Sequence, residues 1–128
     1  NADIVYASED TRFKLPEAAL GVFVTGGLVA TLPAAIGLTR AKALMLLGEE
    51  FSAGQAADWG LVYRVLPGQE LDAVSLAACH RLADLRPLVA MQFKRVLNRF
   101  GLERFDEAVE EESQVQRMLG RSTSPYQT

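Results

Sequence analysis

Residues 15–37, which read LPEAALGVFVTGGLVATLPAAIG, are the stretch that decides the fold. This stretch holds a single carboxylate, Glu17, followed by small and apolar residues, and two adjacent glycines, Gly26 and Gly27. A carboxylate placed among apolar groups is suited to proton transfer because water competes poorly for its oxygens. A glutamate in a solvent-exposed loop has no such role. The residues by themselves leave both interpretations open.

The second half of this stretch predicts a helix. Thr25 is a plausible N-cap for a helix that reaches Ile36, and Gly37 is a typical stop signal. Pro33 predicts a kink or an early end inside that helix. Residues 25–27, at the start of this helix, have two interpretations. Their N–H groups are suited to binding an anion or a developing oxyanion, or the two glycines let the helix pack closely against a neighbouring backbone.

Outside this stretch, the residue patterns predict short strands first and amphipathic helices afterwards. Ser52 and Gln55 have the spacing of a capping box. The predicted strands cover residues 4–8, 12–15 and 61–66, residues 18–24 form a connection, and the helices cover residues 40–47, 53–59, 69–85, 88–98 and 102–119. The predicted division is a core of residues 1–67, a helical oligomerisation region of residues 68–120 and a tail of residues 121–128.

The composition predicts a soluble cytoplasmic protein. The chain has 128 residues, 49% of them hydrophobic, and a net charge of −3, without the basic clusters that nucleic-acid binding requires. Its lone cysteine, Cys79, excludes an intrachain disulfide and indicates a reducing compartment, and no metal-ligand spacing surrounds it. No apolar run approaches the roughly 20 residues of a membrane-spanning helix, and no signal-peptide pattern is visible, since the first residues lack a basic segment followed by an apolar one.

Other polar residues have less specific interpretations. His80 and Asp84 are spaced as a surface pair on one helix, and Cys79 is interpreted as a small core residue. Residues 110–112 are three glutamates that spread around a helix, which indicates a solvated face. Lys94 can bind a phosphate as a point charge or simply be exposed.

An ordered set of motifs resembles the crotonase (enoyl-CoA hydratase/isomerase) superfamily. The set is dense over residues 3–67 and looser afterwards, and as a series it is far more specific than any single member. It comprises DIVYASED (3–10), Phe13, PEAALG (16–21), LP (32–33), IG (36–37), RA (40–41), LGE (47–49), FSA (51–53), AA (56–57), WGLV (59–62), VLP (65–67), RP (86–87), Lys94 and LN (97–98).

This resemblance implies an α/β fold, namely the second half of a ClpP/crotonase-like ββα spiral followed by C-terminal oligomerisation helices. It implies hydration or double-bond isomerisation of acyl-CoA thioesters through an enolate, as in fatty-acid metabolism, with coenzyme A as part of the substrate and no separate cofactor. It also implies a homo-oligomer, a trimer or a hexamer. The coenzyme A loop, both oxyanion amides and a second hydratase glutamate would then belong to an upstream half.

The same resemblance implies the site residues. Glu17 falls on the family's catalytic acid–base position, and Thr25, Gly26 and Lys94 are the implied substrate-binding residues. Thr25 departs from the family pattern, since VTGGLV (24–29) stands where PGAGGT is common. Ala34 stands where the family usually has an arginine. In this family hydration usually needs two carboxylates on one water, whereas a single glutamate at position 17 suffices for double-bond isomerisation. The alternative is a truncated, non-catalytic chain that acts as a helix-mediated assembly module.

Overall fold

The computed structural model describes residues 2–122 and has the predicted α/β character, with helices predominating. Within residues 2–122, four short strands and seven α-helices follow one another, with a 3-10 turn at Gly68–Glu70. The strands are Tyr6–Ser8 (β1), Arg12–Phe13 (β2), Phe51–Ser52 (β3) and Arg64–Leu66 (β4), and the helices are Glu17–Leu20 (α1), Leu28–Ile36 (α2), Leu38–Leu47 (α3), Ala53–Asp58 (α4), Leu71–Ala83 (α5), Pro87–Gly101 (α6) and Phe105–Ser122 (α7).

One of two units contains Phe13–Phe51 together with the described residues that follow Glu103. Its core forms where α2 and α3 pack on each other and on their neighbours α7 and α1. Phe13 and Phe51 stack with ring centroids 5.3 Å apart, which joins the two ends of this long segment. The buried apolar side chains of this unit include Val24, Leu32, Ile36, Ala41, Leu44 and Phe51.

The other unit contains Ala2–Arg12 and Ser52–Glu103. Here β1 and β4 pair in parallel, with Ala7 opposite Val65, and α4 and α5 pack against these strands. The predicted capping box is present: the Ser52 hydroxyl accepts from the Gln55 N–H at 3.1 Å, and the Ser52 N–H donates to the Gln55 side chain at 2.9 Å. The start of α4 is therefore set by local chemistry.

The structure corrects several of the predicted helix boundaries. Residues 17–20 form a helical turn, whereas residues 18–20 were predicted to be part of a connection. Thr25 is not the N-cap of α2, because Gly27 occupies that position in a left-handed conformation with φ 83°. Pro33 lies inside α2, and the helix nevertheless continues to Ile36.

The helices α5 and α6 have no buried residue, although both carry many apolar side chains. Phe93, Leu97 and Phe100 on α6 are each more than 60% exposed. In residues 2–122, no helix is both long and apolar enough to cross a membrane. Residues 121 and 122 were predicted to belong to the tail, but they are the last two residues of α7. The rest of the predicted tail, residues 123–128, lies outside the described residues.

Candidate functional site

Glu17 is the first residue of α1 and follows Pro16, whose backbone leads into the helical turn. Its Oε2 atom is shielded from solvent and has no hydrogen-bond partner among residues 2–122. Buried polar atoms are usually hydrogen-bonded, and the exceptions are often found at catalytic positions or beside a bound water or ion. Glu17 therefore differs from an exposed loop glutamate.

The Glu17 side chain lines an open cavity of about 480 Å³. This volume lies within the range of small-molecule sites, which are mostly apolar with a few polar groups that fix orientation. The described lining residues are Glu17, Ala18, Gly21, Val22, Phe23, Val24, Val29, Pro33, Leu38, Ala41, Lys42, Met45, Leu46 and Leu119.

One face of α3 forms a wall of this cavity. Leu38, Ala41, Lys42, Met45 and Leu46 all line it, and their spacing is that of residues on one side of an α-helix. Lys42 is the one cation among the described lining residues. The cavity therefore combines the carboxylate of Glu17 and the amino group of Lys42 with otherwise apolar lining residues.

The start of α2 is occupied by a carboxylate from α7. Glu112 is 2% exposed, and its Oε1 and Oε2 atoms accept from the N–H groups of Gly27 at 2.7 Å and Val29 at 3.0 Å. A helix N-terminus favours negative charge because its first N–H groups have no partners within the helix. An internal carboxylate, rather than a ligand, thus satisfies this anion-binding position.

A second side chain of α7 holds the segment before α2. The Gln116 Oε1 atom accepts from the Phe23 N–H at 2.8 Å. Phe105, at the start of α7, lies so close to Gly27 that a β-carbon at this glycine would overlap its ring. Close packing of helix against backbone is therefore the role of Gly27 in this structure.

The other sequence-derived site residues lie in different surroundings. Thr25 and Gly26 are exposed, and neither is among the described residues that line the cavity. Lys94 lies on α6 and forms an exposed ion pair with Asp3, with Nζ 2.8 Å from Oδ2. Of the four predicted site residues, Glu17 is among the described residues that line the cavity. The substrate-binding roles of Thr25, Gly26 and Lys94 stay predictions.

A profile of the Enoyl-CoA hydratase/isomerase family matches residues 1–125 of the chain. This match covers nearly the whole sequence. The chain belongs to the enoyl-CoA hydratase/isomerase family. The resemblance inferred from the ordered motifs is thereby confirmed.

Curated members of the enoyl-CoA hydratase/isomerase family are similar to the chain over part of their length. It is 30% identical over 120 residues to the 1,2-epoxyphenylacetyl-CoA isomerase of Escherichia coli strain K12, covering 94% of this chain and 46% of that protein. It is 41% identical over 76 residues to a mevalonyl-coenzyme A hydratase of Aspergillus fumigatus, covering 59% and 28%. The chain thus spans less than half the length of these two relatives.

Solved structures of this family share the fold. An enoyl-CoA hydratase from Mycobacterium avium subsp. paratuberculosis K-10 superposes with a TM-score of 0.89 at 33% identity, covering 97% of this chain and 50% of that one. An enoyl-CoA hydratase/isomerase from Pseudoalteromonas atlantica T6c gives a TM-score of 0.88 at 31% identity, covering 95% and 49%. The α/β fold expected from the family resemblance is confirmed.

Two interpretations of polar residues were wrong for this member of the enoyl-CoA hydratase/isomerase family. Glu112 is buried, whereas Glu110 and Glu111 are exposed, so the three glutamates do not form one solvated face. Cys79 is exposed rather than part of the core. His80 on α5 and Asp84, the residue that caps the end of α5, are both exposed.

The sequence contained signals for the residues that the prediction missed. Glu112 falls on the apolar face of α7, between Ala108 and Val115, where a charged residue needs a partner. Lys42 is exposed, and it lies on the cavity-lining face of α3 at helical spacing from Leu38 and Met45.

Proposed function

We propose that this chain supplies the proton-transfer residue and part of the acyl pocket of an enzyme acting on enoyl-CoA thioesters. The observation that carries the proposal is the Glu17 carboxylate, with a shielded and unpartnered Oε2 atom on the wall of a largely apolar cavity. Membership of the enoyl-CoA hydratase/isomerase family supports it. The two curated relatives described above are, by name, also proteins that act on CoA thioesters.

In the proposed mechanism, Glu17 moves one proton. For isomerisation of a 3-enoyl thioester, the Glu17 carboxylate removes a proton from the α-carbon, and the electron pair of that C–H bond delocalises over the thioester carbonyl and the double bond as a dienolate. The protonated Glu17 then gives the proton to the γ-carbon, the carbonyl is restored, and the double bond lies between the α- and β-carbons. One carboxylate is sufficient for this sequence, which is why isomerisation fits the described residues better than hydration.

The apolar cavity is proposed to hold the acyl chain. Contacts from Val29 on α2 and from Met45 and Leu46 on α3 suit a hydrocarbon chain, because burying apolar surface contributes about 25 cal/mol per Å². Lys42 adds a positive charge that suits a polar or anionic group on the acyl chain or thioester side. Thr25 and Gly26 as acyl contacts and Lys94 as a phosphate contact remain part of the proposal.

The test of this function is the Glu17→Gln variant of the complete gene product that contains residues 1–128. Loss of enoyl-thioester absorbance with a short enoyl-CoA measures the rate. Removal of a general acid–base group lowers kcat by about 100-fold to 10,000-fold while KM changes little, because the amide keeps the size of the side chain. Glu49→Gln makes the same change at an exposed position and is expected to keep full activity. Equal activity of both variants would remove Glu17 from the mechanism.

A second candidate function is a helix-mediated assembly module without catalysis. The exposed apolar side chains of α6 favour it, since contiguous apolar surface commonly marks a protein–protein interface. In this proposal, residues 1–128 assemble into a homo-oligomer, a trimer or hexamer, and show no turnover of a short enoyl-CoA. Turnover by residues 1–128 that disappears in Glu17→Gln would exclude this candidate.

A cytoplasmic location is also part of the proposal. The free thiol of Cys79 is exposed, and such thiols persist in compartments kept reducing by glutathione and thioredoxin. Fractionation of cells that produce the tagged full-length protein tests this location directly.

A further inference from the structure

We propose that Glu112 and Gln116 are positioning residues, which hold residues 22–29 in place as the wall of the Glu17 cavity. Both side chains come from one face of α7 and lie one helical turn apart. Their three hydrogen bonds reach the N–H groups of Phe23, Gly27 and Val29.

These hydrogen bonds are directed at backbone groups that lack partners of their own. Gly27 is the N-cap of α2 and Val29 is in its first turn, so neither N–H can bond to a carbonyl within that helix. Glu112 satisfies both of them with one buried carboxylate. Gln116 fixes Phe23, so the segment is held at both of its ends.

The held segment is also cavity wall. Phe23 and Val29, whose N–H groups are bonded to α7, both line the cavity that contains Glu17. Leu119, on the next turn of α7, lines the same cavity. One face of α7 therefore supplies the hydrogen bonds that fix the wall and an apolar side chain that completes it.

Glu112 is not assigned a contact with substrate, because both of its oxygens are engaged by the backbone and the side chain is 2% exposed. Its effect on the cavity passes through the segment that it holds. The inference rests on the proposed function for the identity of the ligand, whereas the positioning of the wall is a property of the chain itself.

The test measures amide hydrogen exchange in residues 1–128 by nuclear magnetic resonance. In Glu112→Leu, loss of both acceptors should speed exchange at Gly27 and Val29 by about tenfold or more relative to Leu44 in α3 and Val65 in β4. Glu112→Gln retains one acceptor and should protect one of the two amides. Gln116→Leu should affect Phe23, and this variant also serves if Glu112→Leu does not fold.

Matched controls separate positioning from general destabilisation. Glu111→Gln and Gln114→Leu make similar changes at exposed positions of α7 and should leave all these amides unchanged. The methyl resonances of Val24 and Val29 should shift in the Glu112 and Gln116 variants and not in the controls. Exchange that rises by one common factor at every core amide, or unchanged protection of Phe23, Gly27 and Val29, would overturn the inference.

A binding measurement distinguishes failure of this inference from failure of the proposed function. Saturated hexanoyl-CoA, which cannot be hydrated, is titrated into the complete gene product while the Val29 methyl resonance is followed. Weaker binding in Glu112→Gln than in Glu111→Gln supports the positioning role. Local exchange effects as expected, with no binding by the unsubstituted protein, would retain the positioned wall and contradict the acyl-CoA function.

Discussion

Gly27 and Phe105 are packed so closely that the glycine hydrogen occupies the space a β-carbon would need. Gly27 also has a left-handed backbone, with φ 83°. Two separate requirements therefore select glycine here, one steric and one conformational. Together they let the start of α2 approach α7 closely enough for Glu112 to reach the Gly27 N–H.

We expect Gly27→Ala to lower the free energy of unfolding by about 2–4 kcal/mol, because left-handed strain adds to overlap with the Phe105 ring. Gly48→Ala is the matched control. Gly48 is also left-handed, with φ 64°, but its β-carbon would make an ordinary contact of 3.6 Å with the Leu15 carbonyl oxygen. Its expected cost is about 1 kcal/mol. Equal losses of unfolding free energy in the two variants, measured by urea unfolding, would show that the Phe105 ring moves aside without destabilising the fold.

Ser52→Ala should remove the hydroxyl that accepts from the Gln55 N–H and destabilise the chain by about 1 kcal/mol. The capping box places this side chain at the N-terminus of α4, where the backbone donors have no other acceptor within the helix. Ser113→Ala, at an exposed interior position of α7, should be neutral or slightly stabilising because alanine favours helix. Thermal unfolding monitored by circular dichroism compares the two variants. Identical unfolding midpoints for Ser52→Ala and Ser113→Ala would contradict a stabilising role of the Ser52 cap.

Arg104 and Glu107 form a bidentate pair at the start of α7, with Nε 2.8 Å from Oε2 and Nη2 2.6 Å from Oε1. The hydrogen bonds, and then the charge, of Arg104 lower the pKa of Glu107. The pair's contribution to stability is therefore present above the ordinary glutamate pKa and is lost as the pH falls through the lowered value. Both side chains are largely exposed, which keeps that contribution small.

In Arg104→Gln, the pKa of Glu107 should rise toward the ordinary value, as measured by carboxyl-carbon chemical shifts during an acid titration. Arg117→Gln removes a charge farther along the same helix and should leave the Glu107 titration unchanged. An unaltered Glu107 pKa in Arg104→Gln would contradict the pair observed in the structure.

Local chemistry explains how much of the fold could be predicted. The spacing of Ser52 and Gln55 determines a capping box without help from the rest of the chain, and that prediction is confirmed. The end of α2 at Gly37 was likewise readable from neighbouring residues. The start of α2 was not, because it depends on Glu112, which lies 85 residues from Gly27 in sequence.

The candidate site shows the same division. Glu17 was identified by its family position, and the structure adds a shielded, unpartnered oxygen atom that no sequence pattern reports. Lys42 and Glu112 were missed because each looks like an ordinary charged helical residue until the helix faces are assigned. Cys79 was placed in the core on its residue type, whereas α5 has no buried residue on any face.

The apolar surface of α6 leads to the last prediction, which concerns assembly. Phe93 is 67% exposed and Phe100 is 69% exposed, and burial of a phenylalanine contributes about 1.5–3 kcal/mol. If α6 mediates self-association, Phe93→Lys and Phe100→Lys should shift the mass distribution toward the monomer by light scattering after size exclusion. Asn98→Lys adds the same charge at an exposed polar position of α6 and should leave the distribution unchanged. An unsubstituted chain that stays monomeric as its concentration rises would contradict a role of α6 in self-association.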